Sequence, residues 1–266
     1  MMKNDKQTDS LKVILFMAIM LLIVEMSPIL TNSFSGQMYE VVGTLTFLAT
    51  FLFMYLTIEG FVRWDKTSIS KLGLDVDQKT TSHIIIGAIA AVVSVAVVFG
   101  LAVLYGATLT PLNQINADLI SSEIIITTPT ALFEELAYRG YILSRLERLT
   151  GKTSAILFSS LFFAFLHFSW WTYPAVNTLL IGIFSINMFL GGVVLSLSYF
   201  WSGRKLWVPI SFHFVWNMLA YIIFPHFPLE EVMRPEVFQI EWGITTIFGF
   251  LLGLSLLYGF LKTKKK

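Results

Sequence analysis

Three polar clusters interrupt an otherwise apolar sequence, each with a spacing that chemistry can use. "FEELAYRG" holds Glu134, Glu135 and Arg139, "FFAFLH" ends on His167, and "SFHFVWNML" holds His213 and Asn217. On a helix, Glu135 and Arg139 stand four residues apart with the acid on the amino-terminal side. That is the order that favours an ion pair, and an arginine left unpaired in hydrocarbon would be far worse. The pair therefore reads first as structural, a brace within its helix. Glu134 is turned by about 100° from its neighbour, so it points elsewhere and is free to serve as a general base on something outside its own helix. His213 and Asn217 are again four apart and stack on one face, offering an imidazole and an amide to one region of space. Phe163, one turn before His167, is a packing shelf for that ring. Each cluster has a blander reading as well, because histidine and asparagine also bridge transmembrane helices without any chemistry.

The elements that must position these groups follow from composition. Of 266 residues, 56% are hydrophobic and only 13% charged, and the mean hydropathy is +0.74. This is too apolar for an ordinary soluble domain and reads as an all-α, polytopic membrane protein, residues 1–266 forming a single integral membrane domain. A net charge of +1 and the lack of a glycine-rich phosphate loop argue against nucleic acid and nucleotide cofactors. With no cysteine, disulfides, thiolate zinc sites and cysteine nucleophiles are excluded together. A nucleophile must be a hydroxyl, a carboxylate or water.

Apolar runs near the ~20 residues that span a bilayer predict about eight transmembrane helices. They lie near 12–31, 42–63, 84–105, 128–148, 153–172, 176–201, 206–224 and 243–261. The first is too long for a signal peptide and reads as an anchor. Lysine and arginine alternate between loops: the amino end, 63–80, 145–152, 202–206 and the tail are basic, whereas 32–41, 106–127 and 173–175 contain neither. By the positive-inside rule both ends face the cytoplasm, as in a bacterial plasma membrane. Ionisable residues at membrane depth are default site candidates; besides the three clusters these include Glu25 and Glu59, whose roles stay open between cavity lining, pairing and a transport path. In this layout Glu134 lies about six residues from the outer start of its helix, placing the site toward the outer half of the membrane. Trp170 and Trp171 fall at the aromatic belt, and Ser160 and Ser169 read as packing or backbone-bonding residues.

The three motifs, "EELAYR", "FAFLH" and "HFVWN", fit the EExxxR, FxxxH and HxxxN signatures in order. The chain thereby resembles the CPBP family, the CAAX protease and bacteriocin-processing membrane proteins also called Abi. The resemblance implies a CAAX-protease-like helical bundle and intramembrane endoproteolysis of a membrane-associated peptide or protein within the lipid bilayer. It further implies that Glu134 and His167 activate a water and that His213 and Asn217 hold the oxyanion. The chemistry is reasonable on its own terms, since attack on an amide needs a partly desolvated base and donors aimed where negative charge develops. His167, His213 and Glu134 would also make a two-histidine, one-carboxylate zinc set, although there is no HExxH and a metal-free glutamate enzyme is favoured. Serine, aspartyl and HExxH signatures of other intramembrane proteases do not occur. The competing class is a non-catalytic immunity, transport or binding protein that uses the same polar core.

Overall fold

Polar breaks divide the chain into helices, and the computed structural model gathers these into a bundle. The structure describes residues 3–168, 177–225 and 232–262, with side chains from residue 6. Three long helices, α1 (Lys3–Thr31), α2 (Gln37–Trp64) and α3 (Thr80–Leu104), come first. Then α4 (Ala117–Glu135), a π-helical stretch (Leu136–Leu143) and α5 (Ser144–Thr150) run on as one rod. The order ends with α6 (Lys152–Leu166), α7 (Thr178–Trp201), α8 (Trp207–Ile223), the single turn α9 (Pro235–Phe238) and α10 (Thr245–Lys262). Among the described residues there is no strand, and the fold is an all-α membrane bundle.

Each of the eight expected segments overlaps a helix, and among the described residues five helices are long and apolar enough to cross a membrane: α1, α2, α3, α7 and α10. The others fall short for two reasons. The α4–α5 rod carries charge, and α6 and α8, of 15 and 17 residues, rise roughly 22 and 26 Å against a hydrocarbon core of about 30 Å. These three are the helices that bear the motifs.

Neighbouring helices close a ring in the order α1, α2, α4, α8, α3, α10, α7, α6 and α5, with α5 returning to α1. The π-helical stretch packs inside it, against α2, α6 and α7 among others. Its residues are buried throughout. Phe16 of α1 stacks on Tyr141 with centroids 4.3 Å apart, and Phe61 of α2 meets the same ring edge-on. Lipid tails are as apolar as these side chains, so close packing of the rings and hydrogen bonds between helices supply the cohesion.

Two expectations about boundaries need correction. Helix α4 begins at Ala117, well before residue 128, because Asn116 caps it by accepting from the Leu119 N–H at 2.9 Å. Asp118, Ser121, Ser122 and Glu123 dilute the hydropathy there without breaking the helix, so residues 117–127 are not a loop. The depth of Glu134 read from a start at 128 therefore does not hold. Measured from the other end, Glu134 lies about 24 Å up the rod from Thr150, and His167 about 22 Å up from Lys152.

The basic loops share one face. Asp65, just after α2, accepts from Lys12 Nζ at 2.6 Å and from Arg145 Nη2 at 2.6 Å, tying α1, α2 and α5 together. Glu147 pairs with Arg204 at 2.8 Å, and Lys205 pairs with Asp75 and Asp77. Opposite them, the Thr110 N–H donates to Ile223 O and the Met233 N–H to Thr108 Oγ1, so the less basic loops also lie together. Glu59 pairs with Arg63 one turn on, whereas the buried Glu25 carboxyl makes no hydrogen bond among the described residues. Trp170, Trp171 and Ser169 lie outside the described residues.

Burial alone would raise the Asp65 carboxyl, but the hydrogen bonds and charges of Lys12 and Arg145 outweigh it and hold the group below the usual carboxylate range. A depressed carboxylate contributes stability that is present above its unfolded value, near pH 4, and lost as pH falls through the folded value. Asp65→Asn should therefore destabilise the purified protein at neutral pH by about 3 kcal/mol, the cost of stranding two buried partners. The gap between variant and wild type, read from thermal midpoints, should narrow below about pH 4. Reporters fused after residues 38 and 75 should report from opposite sides of the membrane.

Candidate functional site

The polar clusters converge where the α4–α5 rod, α6 and α8 meet. Glu135, the last residue of α4, is fully buried, and Arg139 of the π-helical stretch donates through Nη1 to its Oε1 at 2.8 Å. The spacing-based pair is present although the backbone between them has left α-helical geometry. Arg139 is also fully buried; its Nη2 donates to Gly192 O of α7 at 3.3 Å and its guanidinium lies 4.3 Å from the centre of the Phe163 ring. Gly192 also lets α7 approach α6 closely, since a Cβ there would stand 2.9 Å from the Ser160 backbone of α6.

Glu135 has a second partner that helix spacing did not reveal. His213 of α8 places Nδ1 2.9 Å from the same Oε1, so the carboxylate is shared by a guanidinium on its own rod and an imidazole on another helix. A brace confined to one helix is thus too narrow a reading of Glu135. Residues 78 positions apart in sequence leave no periodic signal of such a bond.

Glu134 diverges from Glu135 as the 100° rotation requires. Its Oε2 lies 3.5 Å from His167 Nε2, both side chains about one-fifth exposed, and has no hydrogen-bond partner among the described residues. His167 caps α6, and its Nδ1 lies 2.7 Å from Phe163 O. A carbonyl can only accept, so Nδ1 carries the proton and Nε2, on the Glu134 side, presents its lone pair in the neutral ring. Phe163 supports this ring with centroids 4.0 Å apart, the shelf its spacing suggested, while also facing His213 edge-on at 6.2 Å.

Beside these groups lies a small cavity of about 40 Å³, to which His167, His213 and Asn217 all contribute. Its walls are mainly apolar, with Phe163, Phe212, Trp216 and Phe250 prominent. Glu134 is not among its lining residues and approaches it through His167. The cavity also contains Glu241, from the segment before α10, which helical spacing did not single out. Its only sequence signal is a charge within the run "FQIEWG", weak for a residue so near a helix end.

The donor set can be tested against zinc. Glu134 and His167 approach one another, and His213, with Nδ1 facing Glu135, keeps Nε2 for another partner, but among the described residues no three histidine or carboxylate side chains are grouped to hold a metal ion. The arrangement does not fit the three-ligand centre that catalytic zinc requires.

Among curated proteins, none matches the chain. Residues 118–219, from the first turn of α4 nearly to the end of α8, match the family model described as Type II CAAX prenyl endopeptidase Rce1-like, so the segment that bears all three motifs is similar to the CAAX-protease family those motifs resemble.

Proposed function

We propose that this protein is an intramembrane endopeptidase that hydrolyses a peptide bond of a membrane-associated peptide or protein through a glutamate-activated water. The observation that carries the reading is the approach of Glu134 Oε2 to His167 Nε2 from two different helices, beside a cavity that also holds His213 and Asn217. A CAAX-type membrane endopeptidase in general is what the matched segment supports.

In this reading a water donates one hydrogen bond to Glu134 and one to the free lone pair of His167 Nε2. Glu134 takes a proton as the water oxygen attacks the carbonyl carbon, the carbonyl π pair moving onto oxygen. His213, as imidazolium, donates from Nε2 to that oxyanion while Nδ1–H remains on Glu135, and the Asn217 amide adds a second donor. Collapse re-forms the carbonyl, breaks the C–N bond and returns the proton from Glu134 to the departing amine. Arg139 and Glu135 do not touch the substrate. They hold the imidazole of His213 at a fixed height and angle.

The second class, a non-catalytic immunity or binding protein, uses the same polar core without turnover. Small membrane-derived peptides released by cells that make wild type or Glu134→Gln at equal abundance separate the two. Peptides found only with wild type support hydrolysis; matched profiles in cells that also hold the genomic neighbours favour binding.

The two adjacent acids should separate by their phenotypes. Glu134→Gln is nearly isosteric at a site without a buried ion pair and should leave the thermal midpoint within a few degrees of wild type while lowering turnover by about 10²- to 10⁴-fold. Glu135→Gln strands Arg139 and His213 together and should cost about 3 to 5 kcal/mol of stability in addition to activity. Asn217→Ala, removing one oxyanion donor, should lower kcat by about 10²- to 10³-fold with KM little changed. Equal stability of the two glutamine variants would contradict this division.

A further inference from the structure

The mechanism leaves one ionisable group of the cavity without a task. Glu241 is 8% exposed, yet its carboxyl lines the cavity together with His213 and Asn217. Its Oε1 accepts from Trp216 Nε1 at 3.3 Å, and Tyr221 is a further donor to it.

The backbone is committed to this placement. Glu241 has a φ of +66°, left-handed territory that costs a residue with a side chain roughly 1 kcal/mol or more. The Asn187 side chain of α7, fully buried, donates to both Glu241 O and Gly243 O at 2.8 and 2.9 Å, and the Glu241 N–H donates to Thr246 Oγ1 at 2.9 Å. At Gly243 a Cβ would stand 2.4 Å from Val237 O, so only glycine closes the turn. Strain of this kind persists where surrounding contacts over-determine it, and it concentrates at functional sites.

The charge balance shows what is missing. Glu241 lines the cavity, with Glu134 and Glu135 beside His167 and His213 of its wall, whereas Arg139, the permanent cation among the described residues of this centre, is already bonded to Glu135. No lysine or arginine lines the cavity among the described residues, and Arg234 on the same segment is exposed. Trp216 and Tyr221 supply neutral donors only. Burial pushes the Glu241 carboxyl up to about 7 against those hydrogen bonds and the charge of His213, so its ionised form lacks a full partner. Phe163, Phe212 and Phe250 meanwhile provide an apolar wall suited to methylene groups.

From this geometry we infer that Glu241 forms a cation-binding subsite: its carboxylate receives the lysine or arginine side chain of a substrate peptide, whose methylene stem lies along the aromatic wall. The subsite rests on the proteolytic reading for its use, and it favours peptides that carry a basic residue near the bond cleaved.

The first test needs no turnover. Thermal midpoints of the purified full-length protein in detergent are measured with n-butylguanidinium and with its neutral analogue n-butylurea at equal concentrations. The cation should raise the wild-type midpoint above the value with the urea, and the difference should vanish in Glu241→Gln. Equal effects of the two probes on wild type overturn the subsite, a result that stands even if the variant fails to fold. A cation-specific shift that persists in Glu241→Gln overturns it too.

The second test compares cleavage of a peptide carrying lysine, chosen from those released by wild type and not by Glu134→Gln, with the same peptide carrying norleucine. Glu241→Gln should lower kcat/KM at least tenfold for the lysine peptide and leave the norleucine peptide unchanged. Equal losses assign Glu241 to structure alone and overturn the proposal. A Glu241-dependent guanidinium shift without any released peptide retains the subsite and rejects the proteolytic reading.

Discussion

Everything in the centre of this bundle depends on one buried carboxylate oxygen. Glu135 Oε1 accepts from Arg139 and stands within hydrogen-bond distance of His213, so two helices are joined through a single atom in a region of low dielectric. There an unpaired charge costs several kcal/mol, and the three groups are stable only as a set. The set fixes the separation of the α4–α5 rod from α8, and the bond from Arg139 to Gly192 O extends the constraint to α7. It also fixes Glu134. With its neighbour held inward, the next residue back along the helix is turned toward α6 and His167.

A similar arrangement recurs on the same rod in a different medium. Asp65 takes Lys12 and Arg145 at the basic face, with its side chain 12% exposed, where solvent moderates both the cost of burial and the gain of pairing. Arg139 and Arg145 are thus two anchors on one rod, each bound to a carboxylate shared with another element. Two such points set the height and rotation of the helix that carries Glu134, which apolar packing alone would leave freer to slide.

The legibility of the sequence follows the range of the interactions. Periodicity within one helix placed Glu135 opposite Arg139, separated Glu134 from both and put His213 and Asn217 beside one cavity, because a regular helix converts spacing into direction. Each of the eight apolar runs overlaps a helix because a run long enough to span hydrocarbon must satisfy its backbone internally. The bond from Glu135 to His213 was not legible, since contacts between distant segments have no period. The early start of α4 was hidden by polar residues that a capped helix accommodates, and the π-helical stretch from Leu136 to Leu143 has no residue type that announces it. Glu241 was missed because a carboxylate near a helix end ordinarily faces water, whereas here the turn at Gly243 and the amide of Asn187 fold it inward.

The shortness of α6 and α8 acquires meaning from their place in the ring. Helices of roughly 22 and 26 Å, flanked by longer ones, cannot match the thickness of the surrounding hydrocarbon, and mismatch of this sign is relieved by local thinning of the bilayer or by headgroups and solvent descending along the shorter wall. Hydrolysis consumes water, and a peptide in an unbroken transmembrane helix keeps its carbonyls in intrahelical bonds. For the proposed hydrolysis a thinned margin would answer both difficulties at once: it would bring the aqueous phase toward His167 at the end of α6, and it would expose the end of a membrane-associated peptide to a polar medium in which its last turns can unwind.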